Sequence, residues 1–337
     1  MRLSVVIPFY NLERYACACL DSLVAACARL EAEAEIEVVC VDDGSTDATP
    51  RLLDGFVSGA PQRHPGAASI VPRVLHKANG GEGSARNAGL DAAAGDWVTF
   101  LDGDDVWLAN HLRVALPLLA AQAAADVVAF RYASFDDGGP LPAASDGGVP
   151  EIFDTRTALP DRCLLDVGVF PTFFRRDWLS RIGVRFSPLP LGADRLFVAE
   201  CLARADRVVC SDAEVHGYRV RTGSMAHAAW NARKVTSLCD YAVGSLAALA
   251  ASGKRLGRAG CAYLASLWLS DVPNRIARLR GDERREAAAR WAQTLQADNL
   301  LKALPRFDRA RRLLLRLCFS PTLALAVARL LRKGGIT

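Results

Sequence analysis

Short β-branched segments that alternate with helical segments constrain the fold of this chain more than any other feature. Residues 4–7 and 36–41 are β-branched runs, and apolar residues recur at helical spacing between them. Strand–helix–strand is the repeating unit of a parallel sheet. The alternation continues, and it predicts further strands over residues 69–75, 96–101 and 127–132. We therefore predict an α/β fold with a mostly parallel central sheet flanked by helices.

A change in composition marks the end of this pattern. Residues 136–150 are rich in Gly, Pro and Asp, which is typical of a loop at a subdomain boundary. The mixed segment that follows contains two short runs, 207–210 and 215–220, which we predict as edge strands. The remaining sequence has an almost wholly helical pattern. We predict an α/β domain over residues 1–225 and a helical C-terminal region over 226–337.

Composition excludes several classes of protein. The chain is 51% hydrophobic and 23% charged, as soluble globular proteins are. No apolar run reaches ~18 residues, so we expect no transmembrane helix, and the apolar N-terminal segment is too short for a signal peptide. The ten cysteines include no Cys-x-x-Cys pair and no zinc spacing. We interpret them as small core residues in a reducing cytoplasm.

Acidic pairs follow two of the predicted strands. Asp42 and Asp43 end the second, and Asp102 and Asp104 follow the fourth. Ligands of open α/β sheets bind beyond the carboxyl ends of the strands. Carboxylates this close raise one another's pKa unless a cation joins them, and Mg²⁺ or Mn²⁺ binds such oxygens together with substrate phosphates. The pattern predicts a divalent cation and a phosphate-bearing substrate, whereas a turn-forming role is favoured for Asp47.

Three sequence blocks carry a family resemblance. They are Ser4-Val5-Val6-Ile7-Pro8-Phe9-Tyr10-Asn11, then Val41-Asp42-Asp43-Gly44-Ser45-Thr46-Asp47, and then a long run that includes Asn79-Gly80-Gly81, Ser84-Ala85-Arg86-Asn87-Ala88-Gly89-Leu90 and Leu101-Asp102-Gly103-Asp104-Asp105. In this order and spacing, over about residues 1–225, the chain resembles a family 2 glycosyltransferase with the GT-A fold, of the bacterial surface-polysaccharide type.

The resemblance implies an activity and a cofactor. It implies an inverting, metal-dependent enzyme that uses Mn²⁺ or Mg²⁺. Such an enzyme moves a sugar from a nucleotide sugar, most often a UDP-sugar, to a hydroxyl group of a glycan or lipid-linked acceptor. The pathway implied is synthesis of a bacterial cell-surface polysaccharide. We therefore expect a nucleotide-sugar donor and a glycan or lipid-linked acceptor as partners.

The resemblance also implies roles in nucleotide binding. Tyr10 is expected near the nucleobase, with Pro8 shaping its loop. Asp42 or Asp43, with Asp42 favoured, is expected to accept a hydrogen bond from the base. Arg86 is expected to face the nucleotide, because its planar fork suits base or phosphate contacts.

The aspartates after the fourth strand have the roles closest to the chemistry. Asp102 resembles the residue that holds the ribose or donor sugar, and it is a second candidate metal ligand. Asp104 resembles the direct metal ligand. Asp105 is expected to cap the following segment.

A later segment resembles the position of the catalytic base. Inverting enzymes need a group that takes the proton of the attacking hydroxyl. Asp194 occupies that position, and Ala193 stands where the family usually has an acidic residue. A helix N-cap is the alternative role for Asp194.

Two arginines further along are candidates for phosphate contact. Arg219 and Arg221 belong to a Tyr-Arg…Ser segment that resembles one lying over the donor diphosphate. Strand alternation puts both side chains on one face; a solvated edge strand is the alternative. His216 and His227 are weaker candidates as metal ligands. Five aromatic residues are candidates for lining an acceptor cleft, although core packing is favoured for the first of them: Trp97, Trp107, Trp178, Phe173 and Phe174.

The C-terminal residues 302–333 form a basic tail. They carry nine Lys or Arg residues against one acid, in a chain of net charge +4. The pattern is that of an amphipathic basic helix, which predicts contact with an anionic membrane surface at the inner face of the plasma membrane. Packing on the body of the protein is the alternative. Nucleic acid is not expected as a partner, because no aromatic interleaving and no recognition motif is present.

The residue Ala193 keeps a second function open. A catalytically impaired module of the same fold, which binds a sugar nucleotide or a glycan, would tolerate the loss of an acidic residue there. The intact Asp102 and Asp104 favour the enzyme. A dinucleotide-dependent oxidoreductase is disfavoured, since no strand–loop–helix segment carries Gly-x-Gly-x-x-Gly.

Overall fold

A computed structural model describes residues 1–30, 34–59, 69–166, 168–221, 230–257 and 272–296. These residues form two compact units. The first holds the described parts of Met1–Thr155, Asp166–Pro188 and Ala205–Ser224, and the second holds those of Arg156–Leu165, Leu189–Arg204 and Met225–Thr337.

The described residues form strands and helices in alternation. The strands are β1 (Arg2–Phe9), β2 (Glu35–Asp42), β3 (Ser69–His76), β4 (Trp97–Phe100), β5 (Val106–Trp107), β6 (Val127–Asp136), β7 (Glu151–Asp154), β8 (Ala158–Leu159), β9 (Thr172–Arg175), β10 (Arg207–Val220) and β11 (Arg255–Leu256). The helices are α1 (Ala16–Ala28), α2 (Thr49–Ser58), α3 (Glu82–Ala92), α4 (His111–Ala121), α5 (Asp161–Asp166), α6 (Arg176–Ile182), α7 (Ala193–Arg204), α8 (Ala232–Ala251), α9 (Val272–Arg278) and α10 (Gly281–Gln296).

One large sheet organises the first unit. Its strand order is β3-β2-β1-β4-β9-β6-β10-β5, with β7 also beside β10. β1 lies parallel to β2 and β4, and β2 lies parallel to β3. β9 runs antiparallel between β4 and β6. The predicted mostly parallel sheet with flanking helices is confirmed, and the antiparallel strands β5, β7 and β9 are additions to it.

The expectation of two edge strands near the end of the first unit is wrong. Residues 207–210 and 215–220 belong to one long strand, β10, which pairs with β6 on one side and with β7 and β5 on the other. Register shifts against β6 lie between Cys210 and Glu214 and between Glu214 and His216. Such irregularities let the strand continue through the polar residues that had suggested a break.

Burial on both faces explains the apolar runs of the first strands. Every residue of β1 after Arg2 is buried, and every residue of β2 after Glu35 is buried, as expected for central parallel strands. Eight cysteines lie in the described part of the chain, all as free thiols, and all except Cys17 are buried. Burial raises the pKa of Cys27 and Cys40 to about 12. The interpretation as core residues is confirmed for seven of these eight cysteines and is wrong for Cys17, which is exposed.

A buried carboxylate joins the amino ends of the first three strands. Glu37 on β2 is fully buried and accepts hydrogen bonds from Arg2 at 3.0 Å and Arg73 at 2.7 Å. It also accepts from the Ser4 hydroxyl at 2.5 Å and the Ala94 amide at 2.8 Å. Two cations and two further hydrogen-bond donors therefore stabilise its negative charge. A buried carboxylate without such partners would strongly destabilise the fold. The cluster lies at the end of the sheet opposite the predicted acidic pairs.

Helix α3 approaches β1 so closely that one position requires glycine. A Cβ atom on Gly89 would lie 2.2 Å from Val6 Cγ1 and 3.2 Å from Val41 Cγ2. We expect Gly89→Ala to push α3 off the sheet and to lower the free energy of unfolding by about 1–3 kcal/mol, the usual cost of overpacking. Denaturant unfolding followed by circular dichroism measures this.

The matched control is Gly55→Ala, in the middle of α2. A Cβ atom there would meet nothing within 4 Å, so we expect equal or higher stability, since alanine is the better helix former by ~0.5–1 kcal/mol. Equal stability of the Gly89→Ala variant and the wild type would contradict the close packing of α3 on β1.

The described residues of the second unit are mainly helical. α7, α8, α9 and α10 account for most of them, and β8 and β11 form a short parallel pair. Within the described ranges, no helix combines the length and the hydropathy needed to span a bilayer. The basic tail over residues 302–333 lies outside the described residues.

Candidate functional site

The carboxyl ends of three neighbouring strands bring predicted site residues together in the first unit. β1 lies between β2 and β4, so the segments after these strands share one edge of the sheet. Phe9 pairs with Asp42, and the amide of Asp43 donates to the Phe9 carbonyl at 2.9 Å. Asp102 follows β4 on the other side of β1. This edge is where open α/β sheets bind their ligands.

Asp42 is buried and held from two sides. One carboxylate oxygen accepts from the Ser45 amide at 3.0 Å, and the other lies 3.0 Å from His76 Nδ1. The second ring nitrogen of His76 lies 3.1 Å from Asp54. Hydrogen bonds to Asp42 and Asp54 raise the pKa of His76, so these carboxylates favour a charged imidazole. Asp42 is therefore oriented by its neighbours.

Asp43 is also buried, and a loop that follows β3 holds it. Its carboxylate accepts from Lys77 Nζ at 2.5 Å, from the Gly80 amide at 3.0 Å and from the Gly81 amide at 2.7 Å. The side-chain amide of Asn79 donates to the Asp43 carbonyl. Lys77 was not predicted from the sequence, although it stands two residues before the Asn79-Gly80-Gly81 motif.

Pro8 and Tyr10 lie in different environments. Pro8 is buried within β1, where it pairs with Val41, and Tyr10 follows the strand with half of its surface exposed (50%). Asn11 has a positive φ of 52°, and its side chain accepts from the Thr46 amide at 2.8 Å. This bond ties the Tyr10 loop to the segment after β2 and leaves the tyrosine ring open to a ligand.

Arg86 is buried on α3 and pairs with the residues Asp102–Asp105 after β4, which we call the acidic segment. Its Nη2 donates to Asp102 Oδ1 at 2.6 Å, and it also pairs with Glu82. The guanidinium carbon lies 5.4 Å from the ring centroid of Phe186. Burial raises the pKa of Asp102, Arg86 lowers it, and the neighbouring Asp104 raises it again. The positive charge of Arg86 therefore only partly offsets the effect of burial and of Asp104 on the pKa of Asp102.

Both predicted phosphate-contacting arginines lie against Asp104. Arg221 Nε donates to the Asp104 carboxylate at 2.5 Å, and Arg219 Nε donates to its backbone carbonyl at 2.7 Å. Each guanidinium carbon is 5.3 Å from the ring centroid of Tyr15. The Tyr15 hydroxyl donates to Asp137 at 2.8 Å. The sequence did not predict Tyr15 as a site residue, because no motif marks this position just before α1.

Asp105 anchors this acidic segment to β10. It is 1% exposed, with one oxygen 2.9 Å from His216 Nε2 and the other accepting from the Arg219 amide at 2.8 Å. Burial raises the pKa of Asp105 to about 6, although the His216 bond opposes that shift. His216 thus has Asp105 as its partner, and His227 lies outside the described residues.

Asp194 belongs to the second unit. It is half-buried and is the second residue of α7, where the helix dipole favours a negative charge. The preceding Leu191 donates its amide to the Ser237 hydroxyl at 3.0 Å and accepts from that hydroxyl at 2.7 Å. Ser237 lies on α8, so α8 braces the segment that enters α7.

The aromatic residues proposed for an acceptor cleft are core residues. Each is at most 5% exposed: Trp97, Trp107, Trp178, Phe173 and Phe174. They lie on β4, β5, α6 and β9, where packing between the sheet and its helices excludes water. The expectation that they line a cleft is therefore wrong.

The acidic segment has the chemistry of a cation site. Among the residues that the structure describes, no three His, Cys, Asp or Glu side chains are placed to enclose a metal ion. Asp102 and Asp104 nevertheless offer two carboxylates, and the pKa of the half-buried Asp102 is raised because Arg86 only partly offsets its desolvation and the charge of Asp104. Mg²⁺ and Mn²⁺ typically take one or two protein carboxylates and complete their shell with phosphate and water. The donor set therefore fits such an ion.

The fold is that of the GT-A glycosyltransferases. The S. aureus protein TarS, as residues 1–349 in complex with UDP-GlcNAc, matches with a TM-score of 0.68 at 22% identity, over 99% of this chain and 92% of that chain. The mannosyltransferase PcManGT from Pyrobaculum calidifontis, in complex with GDP-Man and Mn²⁺, matches with a TM-score of 0.52 at 18% identity, over 98% and 86% of the two chains.

The sequence comparison identifies the family. A sequence model of the family described as Glycosyl transferase family 2 matches residues 4–183, more than half of the chain. The chain belongs to glycosyltransferase family 2, as the three sequence blocks had indicated.

Curated relatives point in the same direction. Glycosyltransferase GlyA of Streptococcus pneumoniae serotype 4 is 24% identical over 71% of this chain and 33% of its own length. Succinoglycan biosynthesis protein ExoO of Rhizobium meliloti is 31% identical over 57% of this chain and 54% of its own length. The chain thus spans about a third of GlyA and about half of ExoO.

Proposed function

We propose that this protein is an inverting, metal-dependent glycosyltransferase that moves a sugar from a UDP-sugar to a hydroxyl group of a glycan or lipid-linked acceptor. We further propose that it acts in the synthesis of a bacterial surface polysaccharide. One observation carries the proposal. The segment Asp102–Asp104 is held by a buried arginine from α3, by Arg219 on β10 and by Arg221, the residue after β10, at the sheet edge that also bears Asp42 and Asp43.

The nucleotide half of the proposal rests on the loops after β1 and β2. The exposed ring of Tyr10 is free to stack on a nucleobase, and Pro8 sets the direction in which its loop leaves the sheet. Asp42 is the proposed acceptor for the uracil N3–H, since Ser45 and His76 hold its carboxylate in place. TarS is described with UDP-GlcNAc, so UDP-GlcNAc is the first donor to test.

The diphosphate half rests on the acidic segment and its arginines. Asp102 and Asp104 would hold Mn²⁺ or Mg²⁺ together with the donor diphosphate. When bound, such an ion offsets the charge that develops on the leaving diphosphate. Arg219 and Arg221 are proposed to add contacts to the phosphate oxygens, because guanidinium groups bind phosphate with two parallel hydrogen bonds. Arg86 orients Asp102 through its hydrogen bond at 2.6 Å.

Asp194 is the proposed general base. It would accept the proton of the acceptor hydroxyl as that oxygen attacks the anomeric carbon of the donor, while the bond from that carbon to the diphosphate breaks. A single displacement of this kind inverts the anomeric centre. Support comes from the family position of Asp194 and from its place in the first turn of α7.

We also propose where the protein works and how its chain is divided. Residues 1–225 would form the catalytic domain and residues 226–337 a helical region. The basic tail over 302–333 would contact the anionic inner face of the plasma membrane. The relative ExoO is named for succinoglycan biosynthesis, which supports the polysaccharide assignment.

A donor screen tests the proposed function. UDP-GlcNAc, UDP-glucose, UDP-galactose and GDP-mannose are compared by thermal shift and by nucleotide release, with Mn²⁺ and with EDTA. We expect at least one UDP-sugar to raise Tm and to release UDP only with Mn²⁺. Tight UDP binding without turnover of any donor would favour the impaired binding module, and the absence of any nucleotide effect would contradict both functions.

A further inference from the structure

Three aromatic residues of the first unit form a cluster that the site described so far does not use. We call Tyr132, Phe170 and Tyr218 the aromatic platform. The rings of Phe170 and Tyr218 are stacked, with an interplanar angle of 11° and centroids 6.0 Å apart. Tyr132 lies against both, with centroid distances of 6.2 Å to Phe170 and 5.7 Å to Tyr218.

The platform differs from the other aromatic residues of the sheet in its exposure. Tyr132 is 48% exposed, and Phe170 and Tyr218 are half-buried. The aromatic residues on β4, β5 and β9 are buried in the core. Binding surfaces often contain such a feature, namely packed aromatic rings that stay partly open to solvent on one face of a sheet.

One ring contact followed by hydrogen bonds connects the platform to the acidic segment. Phe170 stacks on the buried ring of His216, with centroids 4.9 Å apart, and His216 bonds Asp105. Asp105 accepts from the Arg219 amide, and Arg219 donates to the Asp104 carbonyl. The platform is therefore held in fixed geometry with the residues proposed to bind the donor.

The distribution of charge indicates that the ligand of the platform is not the donor diphosphate. Tyr218 and Arg219 are adjacent on β10, so their side chains point to opposite faces of the sheet. Arg219 and Arg221 lie with Tyr15 on the other face. The three rings of the platform carry no formal charge at neutral pH, so a phosphate would gain little from them.

We propose that the aromatic platform binds a neutral sugar ring of the acceptor glycan. This inference rests on the proposed function and adds the acceptor class to it. The faces of aromatic rings carry partial negative charge, and the axial C–H groups on one face of a pyranose carry partial positive charge, so the two faces attract. The Tyr132 and Tyr218 hydroxyls supply hydrogen-bonding groups at the rim.

The test uses the full chain and four proteins: wild type, Tyr132→Ala, Tyr132→Phe and Leu141→Ala. Leu141 is a control with a similarly exposed apolar side chain outside the platform (59% exposed). Saturation-transfer NMR is run with methyl β-D-glucoside, methyl β-D-galactoside and methyl β-D-N-acetylglucosaminide, in the presence of UDP and Mn²⁺. Calorimetry measures UDP binding to each protein.

We expect saturation of the ring C–H protons of at least one glycoside bound to wild type. Tyr132→Ala should weaken that binding about three- to tenfold, the range expected for loss of one ring contact. Tyr132→Phe keeps the ring and loses only the hydroxyl, so it should weaken binding less than Tyr132→Ala does, and Leu141→Ala should bind as wild type does. UDP affinity should be the same in all four proteins, since the platform lies outside the proposed donor site.

Three results would overturn the platform as an acceptor subsite. They are unchanged glycoside binding by Tyr132→Ala, weakened UDP binding by that variant, and no glycoside binding by a wild-type protein that does bind UDP. Failure of the wild type to bind UDP would instead contradict the proposed function. The calorimetric arm thus separates the two failures.

Discussion

Asp104→Asn should abolish the metal-dependent part of UDP binding and lower the rate of sugar transfer by about a thousandfold or more. The substitution keeps the shape of the side chain but removes the charge that faces Arg221. Loss of a metal ligand removes several kcal/mol of stabilisation from the leaving diphosphate, and ~4 kcal/mol corresponds to about a thousandfold in rate. Calorimetry of UDP with Mn²⁺ and with EDTA, together with UDP-release kinetics, measures both effects.

The control for this variant is Asp212→Asn. Asp212 also pairs with an arginine, Arg131, but both side chains are about half exposed, so we expect UDP affinity and transfer to stay at wild-type values. If Asp104→Asn binds UDP with the same affinity and the same dependence on Mn²⁺ as wild type, Asp104 is not a metal ligand.

Asp194→Asn should remove sugar transfer and keep donor binding. An amide cannot take the proton of the attacking hydroxyl, and loss of a general base costs about 10²- to 10⁴-fold in rate. The fold should tolerate the change, since a neutral residue in the first turn of a helix costs only ~0.3–1 kcal/mol. Steady-state kinetics with the donor and acceptor found for the wild type give the rate, and calorimetry gives UDP affinity.

Asp282→Asn is the matched control for the base. Asp282 lies in the first turn of α10, as Asp194 does in α7, but its side chain is 91% exposed. We expect this variant to keep wild-type transfer. Retained turnover by Asp194→Asn would exclude it as the base. NMR of the product should show inverted anomeric configuration, and retention would contradict the single-displacement mechanism.

The strands that sequence patterns predicted well are those buried on both faces. β1, β2 and β4 form continuous apolar or β-branched runs, because central parallel strands contact helices above and below. β9 and the middle of β10 were harder to predict. These residues form strands because they pair with β4 and β6, which are distant in sequence. A local sequence pattern contains no information about such distant partners.

The candidate site likewise has a part that could be predicted from the sequence and a part that could not. Asp42, Asp43, Asp102 and Asp104 were predictable, because acidic residues directly after strands must lie at the ligand-binding edge of a parallel sheet. The bonds that hold them were not predictable. Lys77 reaches Asp43 and Arg221 reaches Asp104 only after the chain has folded.

The sequence by itself therefore determined the fold class, the family and the edge of the sheet that carries the chemistry. These follow from local alternation and from the order of the three sequence blocks. The tertiary structure alone decided which polar groups hold the acidic segment and which aromatic rings stay exposed. Trp97 and Tyr132 are both aromatic residues of strands, yet one is 3% and the other 48% exposed. Burial of a side chain depends on what packs over it, and that is a property of the assembled sheet.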